Sequence, residues 1–231
     1  MIGTNTLSLP EEILLLALRD EEGTIDFGVS YQHAIGGAIL AELLLSQRIA
    51  VRKSKRSELV TLLDAKPLGD PLLDECLQRI EDAKKRATLE RWITRFAGLK
   101  NLKDRLAIQL CRRGILREDE DKVLLLFKRK IYPEVNPAPE RDLHERLRQA
   151  IFTDTNDIEA RTVVLISLAK TTGILKVIFD KKKLKGRKKR IESLINGEIT
   201  GQATKEAVEA VQAAVTVAAI MPVIVVSTVV N

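Results

Sequence analysis

The sequence predicts a mainly α-helical fold in a single domain, with a few short β-strands, and three observations carry that prediction. Apolar residues recur at helical spacing, as in Leu72, Leu73, Cys76, Leu77 and Ile80, and again in Leu89, Trp92, Ile93 and Phe96. Residues 36–45, GGAILAELLL, are too apolar all round for a surface helix and predict a central buried one. A chain of 231 residues with 45% hydrophobic content suffices for one sizeable core, and 3% aromatic content makes that core aliphatic.

Each element follows from local chemistry. Ser8-Leu9-Pro10-Glu11 has the form of a capping box with proline pre-set for a first turn, so a helix runs to Leu18. Residues 20–23 form an acidic turn and 24–27 a short strand candidate. Helix-terminal electrostatics account for Glu11 and Glu12 without acid–base chemistry. At Gly36 and Gly37, phosphate contact at a helix N-terminus competes with close helix packing. Residues 47–52 and 59–63 are strand candidates flanking a basic loop. Helical spacing then spans 71–85 and continues through Phe96, with the lone Trp92 in the core. A helix over 99–110 is followed by a hairpin, and Pro133, Pro137 and Pro139 make a rigid connector. Two further helices span 141–152 and 157–170.

Net charge of +6 and a pI near 9.3 favour anionic partners such as acidic lipid or nucleic acid. Cys76 and Cys111 have no CxxC neighbour, which points to a reducing compartment and a cytoplasmic location. No basic residue precedes the first apolar run, so a signal peptide is not expected. His33 and His144 have no ligand-spaced partners, and neither a nucleophile motif nor a glycine-rich nucleotide loop is present. No metal, no cofactor and no catalytic residue are therefore expected. Residues 213–230 are uncharged and almost long enough to cross a bilayer. Pro222 and the β-branched residues 223–230 favour a buried helix and strand, with a membrane anchor as the alternative.

The stretch 95–133 concentrates the functional signal. Leu99, Leu102, Leu106, Ile108 and Leu110 face the core, and Lys100 and Lys103, at i and i+3, are expected to project together and grip a phosphate. The apolar run Leu124, Leu125, Leu126 and Phe127 precedes Lys128, Arg129 and Lys130, a positive platform beside an apolar finger. An ordinary core helix and hairpin is the plainer reading. Eight basic residues between Lys181 and Arg190 add about 1 kcal/mol each near an anionic bilayer, before screening.

Four segments together resemble the Golgi phosphoprotein 3 family, the phosphatidylinositol 4-phosphate-binding adaptor domain. They are LSLPEEILLLALRDEEGTI at 7–25, GGAILAELLLSQRI at 36–49, GDPLLDECLQRI at 69–80 and LKNLKDRLAIQLCRRGIL at 99–116. The resemblance implies one domain over 1–231, with a central apolar helical bundle wrapped by amphipathic helices, plus short β-hairpins. Residues 1–6 would form a short tail and 221–231 a strand or extension. The family's headgroup-contacting basic residues fall on Lys100 and Lys103, and its membrane-inserting hairpin on Ile115 to Pro133, with Leu124, Leu125, Leu126 and Phe127 as the apolar part. The family's pocket tryptophan and arginine fall on Gly28 and Gly36, so half the pocket chemistry is absent and lipid selectivity is open. Only a few residues precede Leu7, so the arginine-rich coat-binding tail is absent as well, and both losses imply a divergent or prokaryotic member with no Golgi role.

The expected function is thus that of a peripheral membrane protein binding anionic phospholipid. Two other readings compete: a winged-helix-like nucleic-acid binder, disfavoured by few base-reading side chains and scarce aromatics, and a scaffold that self-associates through the hairpin.

Overall fold

The computed structural model describes residues 6–18, 22–25, 31–54, 57–123 and 127–198. Its elements in chain order are α1 (Leu9–Ala17), α2 (Tyr31–Leu45), β1 (Ile49–Ser54), β2 (Ser57–Leu62), α3 (Pro71–Glu81), α4 (Leu89–Ala97) and α5 (Leu102–Arg112). They are followed by β3 (Asp119–Val123), β4 (Phe127–Ile131), α6 (Ala138–Phe152), α7 (Ala160–Thr171), α8 (Leu175–Ile178), α9 (Lys181–Gly186) and α10 (Lys188–Ile195). The fold is mainly helical, with two antiparallel hairpins, β1–β2 and β3–β4.

Burial explains the arrangement. All nine residues of α1 are buried, as are those of α2 from Ala34 to Leu44, so these two helices form the centre. Helix α2 packs on α1, α4 and α7, while α1 also meets α5 and α6. The first turn of α1 closes as its sequence requires: the Ser8 N–H donates to Glu11 Oε2 at 2.8 Å. Asp70 caps α3 by accepting from the N–H groups of Leu72 and Leu73.

The structure decides the question at Gly36 in favour of packing. Helix α2 begins at Tyr31, so the Gly36 N–H lies inside the helical ladder and is no terminal donor. A Cβ there would stand 2.7 Å from the Ile93 carbonyl oxygen and 3.2 Å from the Ala97 nitrogen, because the α2 and α4 backbones touch at this point. Gly36→Ala is expected to cost about 1–3 kcal/mol of stability in urea unfolding, since backbone and not a flexible side chain must move.

The junction between α3 and α4 differs from the periodicity. The helix expected to run from 71 to 85 and on to Phe96 breaks after Glu81, and α4 starts afresh under a Thr88 cap. The linker is strapped to the first hairpin, where the Val60 N–H donates to the Ala87 carbonyl at 2.9 Å. Nor do the eight basic residues between Lys181 and Arg190 act as one solvated cluster. The Arg187 guanidinium donates to the carbonyls of Ile151 and Phe152, and Arg190 to those of Ala150 and Thr155, so both satisfy the open C-terminus of α6. Six exposed lysines remain from that run.

Residues 213–230 lie outside the described residues. Among those described, no helix is long and apolar enough to cross a membrane.

Candidate anion site at the start of α5

Three segments line a cavity of about 340 Å³: Tyr31 and Gln32 opening α2, the stretch from the end of α4 into α5 through Ala97, Leu99 and Asn101 to Asp104, and Arg129 and Lys130 on β4. Tyr132 stands behind it. Its hydroxyl donates to Asp104 Oδ1 at 3.0 Å, and its N–H donates to the Gly23 carbonyl at 3.1 Å, so the acidic turn and the hairpin exit hold one another in place. The Lys103 ammonium lies 5.3 Å from the Tyr132 ring centroid and 3.8 Å from Asp104 Oδ1. Burial, then the neighbouring Asp104, push the Tyr132 and Tyr31 hydroxyls above the ordinary tyrosine range, so both stay protonated donors at neutral pH.

The positive platform predicted on β4 is largely matched by acids. Arg129 pairs with Asp121 at 2.7 Å and Lys130 with Glu118 at 2.5 Å, across the hairpin and its approach. The acidic turn before β3 therefore neutralises the basic strand after it. Lys103 is paired more loosely than either, since its ammonium lies 3.8 Å from an Asp104 carboxylate that also accepts from the Tyr132 hydroxyl.

Lys100 and Lys103 do not sit one helical turn apart. Asn101 adopts the left-handed conformation at φ 54° and the helix starts only at Leu102, so Lys100 lies in the preceding turn, exposed, and only Lys103 lines the cavity. Gly36 is buried in the α2–α4 contact and does not line the cavity. Gly28 and Leu124, Leu125 and Leu126 lie outside the described residues; Phe127 opens β4. Of the expected apolar face, Ile108 is only half-buried, while Leu99, Leu102, Leu106 and Leu110 are buried.

Sequence reasoning missed a buried ionic network beneath α1. Glu11, Glu12 and Glu42 are each at most 3% exposed. Arg161 donates to Glu42 at 2.9 Å, to Glu12 at 3.4 Å and to the Leu7 carbonyl at 2.6 Å. Arg146 donates to Glu12 at 2.8 Å, and Arg113 to Glu11 at 2.9 Å. Burial, opposed by Ser8 and Arg113, raises the Glu11 carboxyl above its usual range. The available signal was Glu42: a charge inside the otherwise apolar run 36–45 requires a buried partner. The cysteines carry no comparable chemistry, since both are free and burial pushes the Cys76 thiol up to about 12. Among the described residues no three His, Cys, Asp or Glu side chains gather in a metal-ligating group.

Fold and cavity define a mainly helical, hairpin-bearing domain with a charged surface cavity between a helix start and a strand. A family model described as Golgi phosphoprotein 3 (GPP34) matches residues 9–211. The chain belongs to the Golgi phosphoprotein 3 family. It is similar to a curated protein of Eremothecium gossypii, vacuolar protein sorting-associated protein 74, with 27% identity over 205 residues. That match covers 75% of this chain and 61% of the relative, so the chain spans under two thirds of that protein's length.

Proposed function

We propose that this chain is a peripheral membrane protein that receives an anionic phospholipid headgroup in the cavity at the start of α5. One observation carries the reading: Lys103 and the basic residues of β4 line the same cavity, so headgroup contact and the β3–β4 hairpin address one surface. The first turn of α5 adds to it, because the Asn101 side chain makes no capping bond and leaves backbone donors for phosphate oxygens. The Lys103 ammonium, steered by Asp104 and the Tyr132 ring, supplies charge. Leu124, Leu125, Leu126 and Phe127 are the residues proposed to enter the bilayer. Headgroup charge and a few buried apolar side chains together hold a protein reversibly at a surface. Phosphatidylinositol 4-phosphate is the lipid that the family membership favours, and an adaptor role is the function it favours. A binding protein is preferred to an enzyme because the buried glutamates are engaged by arginines.

Vesicle sedimentation at physiological salt tests this. Lys100→Ala with Lys103→Ala is expected to weaken binding to phosphatidylinositol 4-phosphate vesicles roughly tenfold, with most of the loss in Lys103→Ala alone. Vesicles of equal charge carrying phosphatidylserine measure selectivity. Unchanged binding by the double variant would reject the cavity as the headgroup site. Binding to duplex DNA that falls steeply with salt and needs no lipid would favour the nucleic-acid alternative.

A further inference from the structure

On the face formed by β2, the α3–α4 linker and α4 lies a second polar groove, which neither the headgroup reading nor the family comparison uses. It has two compartments, of about 560 Å³ and 180 Å³, which share Ala83 and Trp92. Trp92 is only 3% exposed, yet its indole N–H has no acceptor among the described residues. The buried hydroxyl of Thr61, which lines the smaller compartment, likewise has no partner. Buried donors are seldom left unpaired, so two of them on one small cavity call for an acceptor.

The charge around the groove says what that acceptor is. Arg79, Lys84, Lys85, Arg86 and Arg95 line it, against the acids Glu81 and Asp82. Arg79 is taken up by Glu75, and Asp82 accepts from the Gln78 amide. Lys84, Lys85 and Arg86 are exposed and form no ion pair among the described residues. The Arg95 guanidinium stacks over Trp92, 4.6 Å from the ring centroid, and so holds the indole in the wall. A ligand with several acceptor oxygens and about two negative charges matches two neutral donors beside five cations, which outnumber the acids Glu81 and Asp82.

We propose that this groove binds a phosphate monoester, whose oxygens accept from Trp92 Nε1–H and the Thr61 hydroxyl while Lys84, Lys85 and Arg86 supply the countercharge. The break between α3 and α4 creates the site, because an unbroken helix would not place the linker cations beside the α4 indole.

Trp92 is the single tryptophan of the chain, so its emission reports on the groove directly. Titrating the full chain with inorganic phosphate, at ionic strength held constant with chloride, is expected to give a saturable emission change with half-saturation on the order of 1 mM. Calorimetry serves as the second readout. Glycerol 3-phosphate separates a soluble source from a lipid one, which is read with phosphatidic acid vesicles against phosphatidylglycerol vesicles of equal charge. Lys84→Ala with Lys85→Ala is expected to raise the half-saturation roughly tenfold, while Lys103→Ala leaves it unchanged, which separates this site from the headgroup cavity. Absence of saturable binding by both readouts in every arm would overturn the proposal and leave the donors to buried water. Binding that survives Lys84→Ala with Lys85→Ala, or that is lost in Lys103→Ala, would equally overturn it.

Discussion

Arg161→Ala is expected to remove about 3–5 kcal/mol of folding stability, a large share of what a domain of this kind possesses. The guanidinium bridges α7 to Glu12 on α1, Glu42 on α2 and the Leu7 carbonyl ahead of α1. Without it Glu42 retains the Leu9 N–H at 2.6 Å, and Glu12 retains Arg146 at 2.8 Å. Two buried carboxylates would then share too few donors, and the cost arises from stranded charge more than from a lost attraction. Burial works against the Arg161 charge, but Glu12 and Glu42 hold its pKa above the ordinary value. Arg161→Lys is expected to restore only part of the loss, because one ammonium cannot span three acceptors as a planar fork does. Urea unfolding of the three proteins measures this. A loss below about 1 kcal/mol in Arg161→Ala would place the network among ordinary surface pairs and reject the argument.

Gly23→Ala carries the second large effect, about 2–5 kcal/mol. Gly23 has φ +57°, which disfavours any residue with a Cβ, and that Cβ would run into the backbone of Tyr132 and Pro133. Neither strand of that contact can yield cheaply. The Leu18–Ile25 bridge closes the turn on one side, and the Tyr132 N–H bond to the Gly23 carbonyl ties it to the hairpin exit on the other. Gly114→Ala is the matched control: its φ is +69° but nothing stands within 4 Å, so only the backbone term remains, about 1 kcal/mol. Thermal and urea unfolding should separate the two. Displacing Tyr132 also loosens Asp104 and Lys103, so vesicle binding by the folded fraction of Gly23→Ala should fall, whereas Gly114→Ala should retain it. Equal stability of the two variants would show that the turn does not bear on the hairpin.

Local chemistry made much of the fold legible. The Ser8–Glu11 cap, the Asp70 stop before α3 and the apolar run of α2 each depend on residues within one or two turns of one another. Hairpin β3–β4 is legible for the same reason, although its basic strand is paired with acids and is not an open platform. Its acids and bases lie close in sequence, but only the antiparallel register places Asp121 opposite Arg129. Helical spacing would set Lys100 beside Lys103 only if the helix ran through Asn101; the left-handed conformation there starts the helix afresh at Leu102 and leaves Lys100 outside the cavity. The second groove was invisible because the spacing in 71–96 runs smoothly across a break held by the Val60–Ala87 backbone bond.

The division between the two sources is therefore physical. Sequence alone determined the helical class and the aliphatic core, which rest on composition, periodicity and short-range capping, and the family resemblance, which rests on the four segments between Leu7 and Leu116. The tertiary structure alone decided which charges are free. Glu12 meets Arg161 across 149 positions and Glu42 meets it across 119, and Arg187 is spent on the end of α6 rather than on a partner. A charge near its mate in a buried setting is structural, and the same residue type facing water is a contact waiting to be made; sequence spacing does not encode that distance.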